Sequence, residues 1–289
     1  MDLATLIQTA ANAGAASTML MLLAVGLTLA FGVMQMANLG HGHVFMAGSY
    51  TVYVLYALCG WPFFAAVAAA VGICAVLGLA IERGIFRRVR GDVVAGFIAT
   101  AGLIFIFEVF MGHFWGWGLM KIIPKPYMMQ FSVMGASMDF ARMQLIPFAV
   151  AAIGGLIFFM RRHKLGRALR AVAQDPEAAA LQGISINKIT ALAMGIAGGL
   201  AGLAGGLMST IYAVTPYLGH AVILPALVTV VIGGLGSVEG TILAAIILGF
   251  TQTFVTTATD GVTALMAMYA VMGIVLAVRP QGLMGRVIA

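Results

Sequence analysis

Apolar residues run along this chain in long unbroken blocks, not in the stripes or alternations of a soluble fold. Residues 3–81 contain no Asp, Glu, Lys or Arg, and residues 189–238 are equally bare. A helix needs about 20 predominantly apolar residues to cross a bilayer, so each block has room for several crossings. A membrane β-barrel would alternate apolar and polar residues at every second position. The stretch Phe64-Ala-Ala-Val-Ala-Ala-Ala-Val-Gly-Ile73 does not. The pattern predicts an all-α polytopic membrane protein, with helices near 10–34, 42–58, 62–81, 93–113, 143–160, 189–212, 240–258 and 262–278.

Composition agrees. The chain is 62% hydrophobic and 8% charged, against roughly 25% charge in an average soluble domain, which excludes a soluble globular enzyme. No repeat or low-complexity linker divides residues 1–289, which read as a single transmembrane domain. Cys59 and Cys74 lie in or beside apolar segments without metal or redox spacing and read as small packed side chains. Met1-Asp2-Leu3 lacks the basic start of a cleavable signal peptide.

The basic residues add direction. Cytoplasmic loops of membrane proteins are enriched in Lys and Arg, so the net charge of +6 is read as topology and not as nucleic-acid binding. Arg83, Arg87, Arg88 and Arg90 form one group; Arg161, Arg162, Lys164, Arg167, Arg170 and Lys188 form a second; Arg279 and Arg286 end the chain. Together they hold 12 of the 15 Lys and Arg residues, and all are expected on the cytoplasmic side. Lys121, Lys125 and Arg142 then lie outside, in a 114–142 segment read as an interfacial loop from Trp115, Trp117, Tyr127, Pro124 and Pro126. This places the C-terminus in the cytoplasm and the N-terminus outside, which requires an odd number of crossings. Eight helices therefore become nine if 221–233 is a short or broken crossing before the glycine-rich turn Gly233-Gly-Leu-Gly-Ser-Val-Glu-Gly240; a re-entrant hairpin over 221–258 is the alternative.

Two patterns bear on packing and energy. Gly195, Gly199, Gly202 and Gly206 share one face of a helix, a small-residue stripe that lets backbones approach. Buried charges, the usual mark of ion or proton pathways, are nearly missing. Glu108, toward the outer end of its helix, reads as an interfacial anchor, with the buried, partnered acid of an ion-coupled carrier as the alternative; Glu239 lies in the glycine-rich turn, and Asp260 falls at a helix end. No lysine stands in a G-x-x-x-x-G-K-[ST] phosphate loop, so this chain is expected to bind no ATP, and active transport would draw on another polypeptide.

The basic segment 161–188 holds the clearest local signal. Asp175 suits a helix N-cap, Pro176 the first helical position and Glu177 the first turn, and Gly183 ends the helix. A short capped helix between two spans can act as a lever against a soluble partner.

At these residues the chain resembles a known family. Glu177-Ala178-Ala179, followed after three residues by Gly183, is similar to the loop through which ABC-importer permeases contact their ATPases. The fuller string from Gly166 to Ile184 resembles the permeases of high-affinity branched-chain amino acid ABC importers, as do 31–50, Gly233–Gly240 and 279–285. Gly40 and Ser49 depart from an expected alanine, His43 is an unusual second histidine, and Glu239 charges a turn that is usually neutral. The resemblance implies an ABC-importer permease fold and a non-catalytic subunit in the bacterial inner membrane. It also implies a second, distinct permease subunit, two ATPases that bind ATP and Mg2+, and a periplasmic binding protein that delivers substrate.

The candidate substrate pathway comprises Asn38, His41 and Gly42, where the first two spans turn, with Gly233, Gly234, Gly236 and Ser237. Asn38 and His41 either tie that turn by hydrogen bonds or meet substrate. The candidate ATPase-coupling residues are Asp175, Glu177, Ala178, Ala179 and Gly183. No metal site is expected, since His41 and His43 lack two further ligands in view. The substrate reads as a branched-chain or other hydrophobic amino acid, with urea, short amides or small carboxylates as the alternative. A self-sufficient ion-coupled carrier is the reading from a different class.

Overall fold

The computed structural model describes residues 2–127, 130–133 and 135–285; Arg286, the last member of the third basic group, lies outside them. Helix α1 (Leu3–Met34) is followed by α2 (His41–Val52), which continues as a π-helical turn over Tyr53–Leu58. Next come α3 (Phe63–Ile81), a π-turn at Glu82–Phe86, the short α4 (Arg87–Val89) and α5 (Val93–Trp115). A hairpin of β1 (Gln130–Val133) and β2 (Ala136–Asp139) leads through α6 (Phe140–Met143) into α7 (Leu145–Arg162). The chain ends with α8 (Lys164–Gln174), α9 (Pro176–Leu181), α10 (Ile186–Met208), α11 (Leu218–Gly233), α12 (Val238–Ala258) and α13 (Gly261–Val278).

Among the described residues, seven helical stretches are long and apolar enough to span a membrane. Two more segments, α2 with its π-turn and α11, complete the set expected from sequence. Helix α11 has 16 residues, carries Pro225 inside it, and precedes the glycine turn, as the short crossing was expected to do. The 114–142 region is more ordered than an interfacial loop, for it contains the antiparallel hairpin. It is also tied to the connection between α10 and α11 by reciprocal backbone bonds of 2.9 Å between Lys121 and Val214.

Helices α1 and α10 form the buried centre, whereas α13 buries only Ala264 and Met268 and α5 turns Phe97, Ile98, Phe105 and Ile106 outward. An apolar outer face has no soluble rationale and is what lipid contact demands. Glycines set the central contacts, though not the four expected. A side chain at Gly198, Gly202 or Gly205 would bring Cβ to 2.3 Å from the Cys74 carbonyl, 2.6 Å from that of Ala70 and 2.0 Å from that of Phe45. At Gly195, Gly199 and Gly206 it would meet side chains no closer than 3.1 Å. Of the expected stripe only Gly202 is required by backbone approach; the close seam is Gly198–Gly202–Gly205. It is answered by Gly78 on α3 and Gly48 on α2.

The basic groups gather at one end of the bundle. Arg90 donates to the Asn187 side chain at the start of α10 (2.8 Å), and Arg161 reaches Glu239 in the glycine turn (2.8 Å). At the opposite end Arg142 donates to Asn12 (3.3 Å) and Lys125 pairs with Asp139. Burial works to raise the Asp139 carboxyl, but the bonds from Lys125 and the Ala141 amide outweigh it and hold its pKa below the usual carboxylate value.

Candidate functional site

Helix α1 stops at Gln35, which adopts a left-handed conformation (φ 55°) and donates its amide to the Phe31 carbonyl at 2.7 Å. The chain then doubles back, so that α2 begins inside the bundle beside the middle of α1. There the His41 ring lies against Gly26, where a Cβ would stand 3.1 Å from Nε2. Gly42 crosses α11: a Cβ there would sit 2.4 Å from the Gly219 carbonyl oxygen. Helix interruptions of this kind place polar groups within a membrane protein without exposing them to lipid.

Asn38, His41 and Gly42 are thus brought together and buried. The side chain of Asn38 does not tie the turn by hydrogen bonds as one sequence reading held. Both its amide atoms, and Nε2 of His41, are buried with no hydrogen-bond partner among the described residues. Buried polar atoms are almost always paired, so these unpaired ones stand out within the fold.

Gly233, Gly234, Gly236 and Ser237 lie at the opposite end of α11 from Gly219, roughly 20 Å along a helix that rises 1.5 Å per residue, where a Cβ on Gly32 near the end of α1 would stand 3.4 Å from the Gly236 Cα. They form a cradle for the C-terminal tail. Leu283 and Met284 donate their amides to the carbonyls of Ile232 (2.7 Å) and Gly233 (3.1 Å), capping α11. Gly234 (φ 99°) would place a Cβ 2.4 Å from the Gly285 amide nitrogen, and Ser237 caps α12 through the Gly240 amide (3.1 Å).

The short capped helix expected from Asp175 to Gly183 is present. The Asp175 carboxylate accepts from the Ala178 amide at 2.9 Å, Pro176 opens α9, and Gly183 (φ 79°) closes it in open space. Ala179 is buried against the bundle, while Glu177 and Ala178 are exposed. Leu181 is 88% exposed, an apolar knob that sequence reading did not single out. Helix α8 backs this device: Gly166, Leu169 and Val172 face inward, and Lys164, Arg167 and Arg170 face out.

Two buried carboxylates revise the charge picture. Glu82 is fully buried; Arg87 (2.8 Å), Arg90 (2.9 Å) and the Thr190 hydroxyl (3.0 Å) all bond it, tying α3 and α4 to α10. Glu108 is no interfacial anchor. It is buried, and its Oε1 lies 3.2 Å from Nε2 of His43 and 2.5 Å from Nε2 of His220. Sequence reading missed this set because its members are 65 and 112 residues apart. The one available sign was a lone acid in an apolar helix. Beside it, a cavity of about 510 Å3 between α2, α3 and α5 is lined by Ala47, Tyr50, Leu103, Phe107, Met111 and Trp115 among others.

Interrupted helices, unpaired polar groups at an internal turn and an exposed lever at the basic end define a polytopic membrane transport subunit. Comparison with known proteins gives the family: residues 10–278 match the family of the permease component of branched-chain amino acid transport systems. The chain belongs to that family. It is 30% identical over 281 residues to the high-affinity branched-chain amino acid transport system permease protein LivH of Escherichia coli K12, covering 92% of this chain and 91% of the relative. It is 32% identical over the same shares to the corresponding protein BraD of Pseudomonas aeruginosa. A probable LivH permease of Methanocaldococcus jannaschii is 28% identical over 83% of this chain and 78% of its own. No solved structure matches.

Proposed function

We propose that this chain is the transmembrane permease subunit of an ATP-driven importer in a bacterial inner membrane. It translocates branched-chain or other hydrophobic amino acids delivered by a periplasmic binding protein. It pairs with a second, distinct permease subunit and docks two cytoplasmic ATPases, which hold the ATP and Mg2+. The basic end faces the cytoplasm, with the C-terminus, and the N-terminus lies on the periplasmic side. The observation that carries this reading is α9: a short helix, capped at both ends and braced by buried Ala179, that presents Glu177, Ala178 and exposed Leu181 at the basic end. ATPase closure would push on α9, and α8 and α10 would pass the movement to the spans.

The solute route on this reading runs past Asn38 and His41, whose unpaired polar atoms can exchange hydrogen bonds with a moving solute. The same atoms favour a second class of solute, namely urea, short amides or small carboxylates.

Proteoliposomes decide between these. Leucine uptake is expected only when this permease is reconstituted with its permease partner, the ATPases, the binding protein and ATP. Uptake by this chain alone down an ion gradient would overturn the reading in favour of a self-sufficient carrier. Competition by urea or acetamide, and not by leucine or valine, would move the substrate to the second class.

A further inference from the structure

Glu108 is an ionisable group enclosed by apolar helices, and its charge has no Lys or Arg partner among the described ion pairs. Its neighbours are two imidazoles from two other helices. His43, in the first turn of α2, is fully buried, whereas the His220 side chain in the first turn of α11 is 53% exposed. The rings meet edge to face with centroids 5.0 Å apart and planes at 86°. Both present Nε2 to the same carboxylate oxygen.

Backbone packing holds this arrangement. A Cβ on Gly219 would lie 2.7 Å from Nδ1 of His43, so α11 rests directly on that ring, and Gly42 presses on the Gly219 carbonyl from the other side. The ring of His43 is therefore held at a glycine-to-glycine crossing, which also sets where the first turn of α11 carries His220. Phe107, next to Glu108, packs its ring 6.3 Å from that of His43 and shields the inner side.

Three such donors suit a particular ion. One donor atom from each of His43, Glu108 and His220 lies within 4.8 Å of the other two. Around a tetrahedral ion with bonds of about 2.0–2.2 Å, ligand atoms stand about 3.3 Å apart, so a small relaxation brings all three onto one centre. Two imidazole nitrogens and one carboxylate oxygen match borderline ions such as Zn2+, Co2+ or Ni2+, and disfavour Mg2+ and Ca2+, which take oxygen ligands. Two neutral imidazoles and a carboxylate carry one negative charge, which a divalent ion offsets where the ion pairs of the described residues give Glu108 no Lys or Arg. The exposed side of His220 leaves a coordination position open.

We propose that His43, Glu108 and His220 form a binding site for one divalent transition-metal ion of the Zn2+ type, which clamps α5 to α2 and α11. Helix α5 buries few of its residues, so such a clamp would fix its place against the two interrupted helices. The site needs neither ATPase nor binding protein, so its failure and failure of the transport reading are distinguishable.

The test uses the full-length permease, purified in detergent, stripped with chelator and titrated with ZnCl2 in excess Mg2+. One Zn2+ per chain is expected to bind saturably, with two imidazole nitrogens and carboxylate oxygen at about 2.0–2.2 Å in the zinc X-ray absorption fine structure. Glu108→Gln and His220→Asn are expected to weaken binding at least about 100-fold, the upper range seen even for losses around a metal's ligands. Absence of a saturable site, a shell lacking two imidazoles, or unchanged affinity in both variants would overturn the proposal. The absorption measurement on the unaltered chain decides the matter even where a variant fails to insert.

Discussion

The hydroxyl of Ser49 on α2 donates a 2.8 Å hydrogen bond to the carbonyl of Gly205 on α10, at a point where a Cβ on Gly205 would stand 2.0 Å from the Phe45 carbonyl oxygen. Ser49 stands where the family resemblance suggests alanine, and its hydroxyl bonds across the seam. Buried interhelical hydrogen bonds in membranes average about 0.6 kcal/mol, so Ser49→Ala is expected to cost about that much. Gly205→Ala forces two backbones apart and is expected to cost several times more. Unfolding of the purified chain in a denaturing detergent measures both, and equal losses would contradict the geometry.

The two arginine-paired glutamates at the basic end, Glu82 and Glu239, are expected to differ sharply in worth. Breaking a fully buried pair costs about 3–5 kcal/mol; Arg87 and Arg90 are 36% and 26% exposed around Glu82, which lowers the figure for Glu82→Gln to about 2–3 kcal/mol. Glu239 and Arg161 are each 64% exposed, so Glu239→Gln is expected to change stability by less than about 0.5 kcal/mol. Thermal denaturation of the two variants side by side gives the ranking.

Changes in α9 are expected to spare the fold and damage coupling. Asp175→Ala removes the cap, worth about 1 kcal/mol to that helix, and should lower uptake in part. Glu177→Lys reverses an exposed charge and should leave membrane insertion intact while removing ATP-driven uptake. Vesicle uptake with an immunoblot for inserted protein separates the two effects, and normal uptake by Glu177→Lys would overturn the docking role.

Gly234 and Gly236 share a left-handed backbone but not a surrounding. An alanine in that conformation costs about 1–2 kcal/mol by itself. A Cβ added at Gly236 would meet nothing closer than the Gly32 Cα at 3.5 Å, whereas one added at Gly234 would stand 2.4 Å from the Gly285 amide nitrogen. Gly234→Ala is therefore expected to displace the tail as well. A cysteine at Leu283 should then react faster with a water-soluble maleimide in Gly234→Ala than in Gly236→Ala.

Features that depend on near neighbours in the chain were legible from the residues. The apolar blocks became spans because a bilayer rewards length and apolarity along one segment. Asp175, Pro176 and Gly183 delimit α9 because capping acts within four residues. The short α11 was indicated by Pro225 and the glycines behind it.

The glycine stripe shows where that legibility stops. Spacing along α10 identified a small-residue helix but could not choose among its glycines, since the choice depends on where α2 and α3 cross it. Leu181 likewise looked like an ordinary helix former until the fold left it uncovered.

By itself, then, the sequence determined a polytopic helical protein, the end at which its positive charge collects and the capped lever at that end. Each follows from residues acting locally or from charge counted between spans. Only the tertiary structure decided that Gly198, Gly202 and Gly205 carry the tight seam, that the 233–237 turn holds the C-terminal tail, and that Glu108 joins His43 and His220. Those relationships are set by helix crossings between residues up to 112 positions apart, and side-chain packing across such distances leaves no periodic trace in the chain.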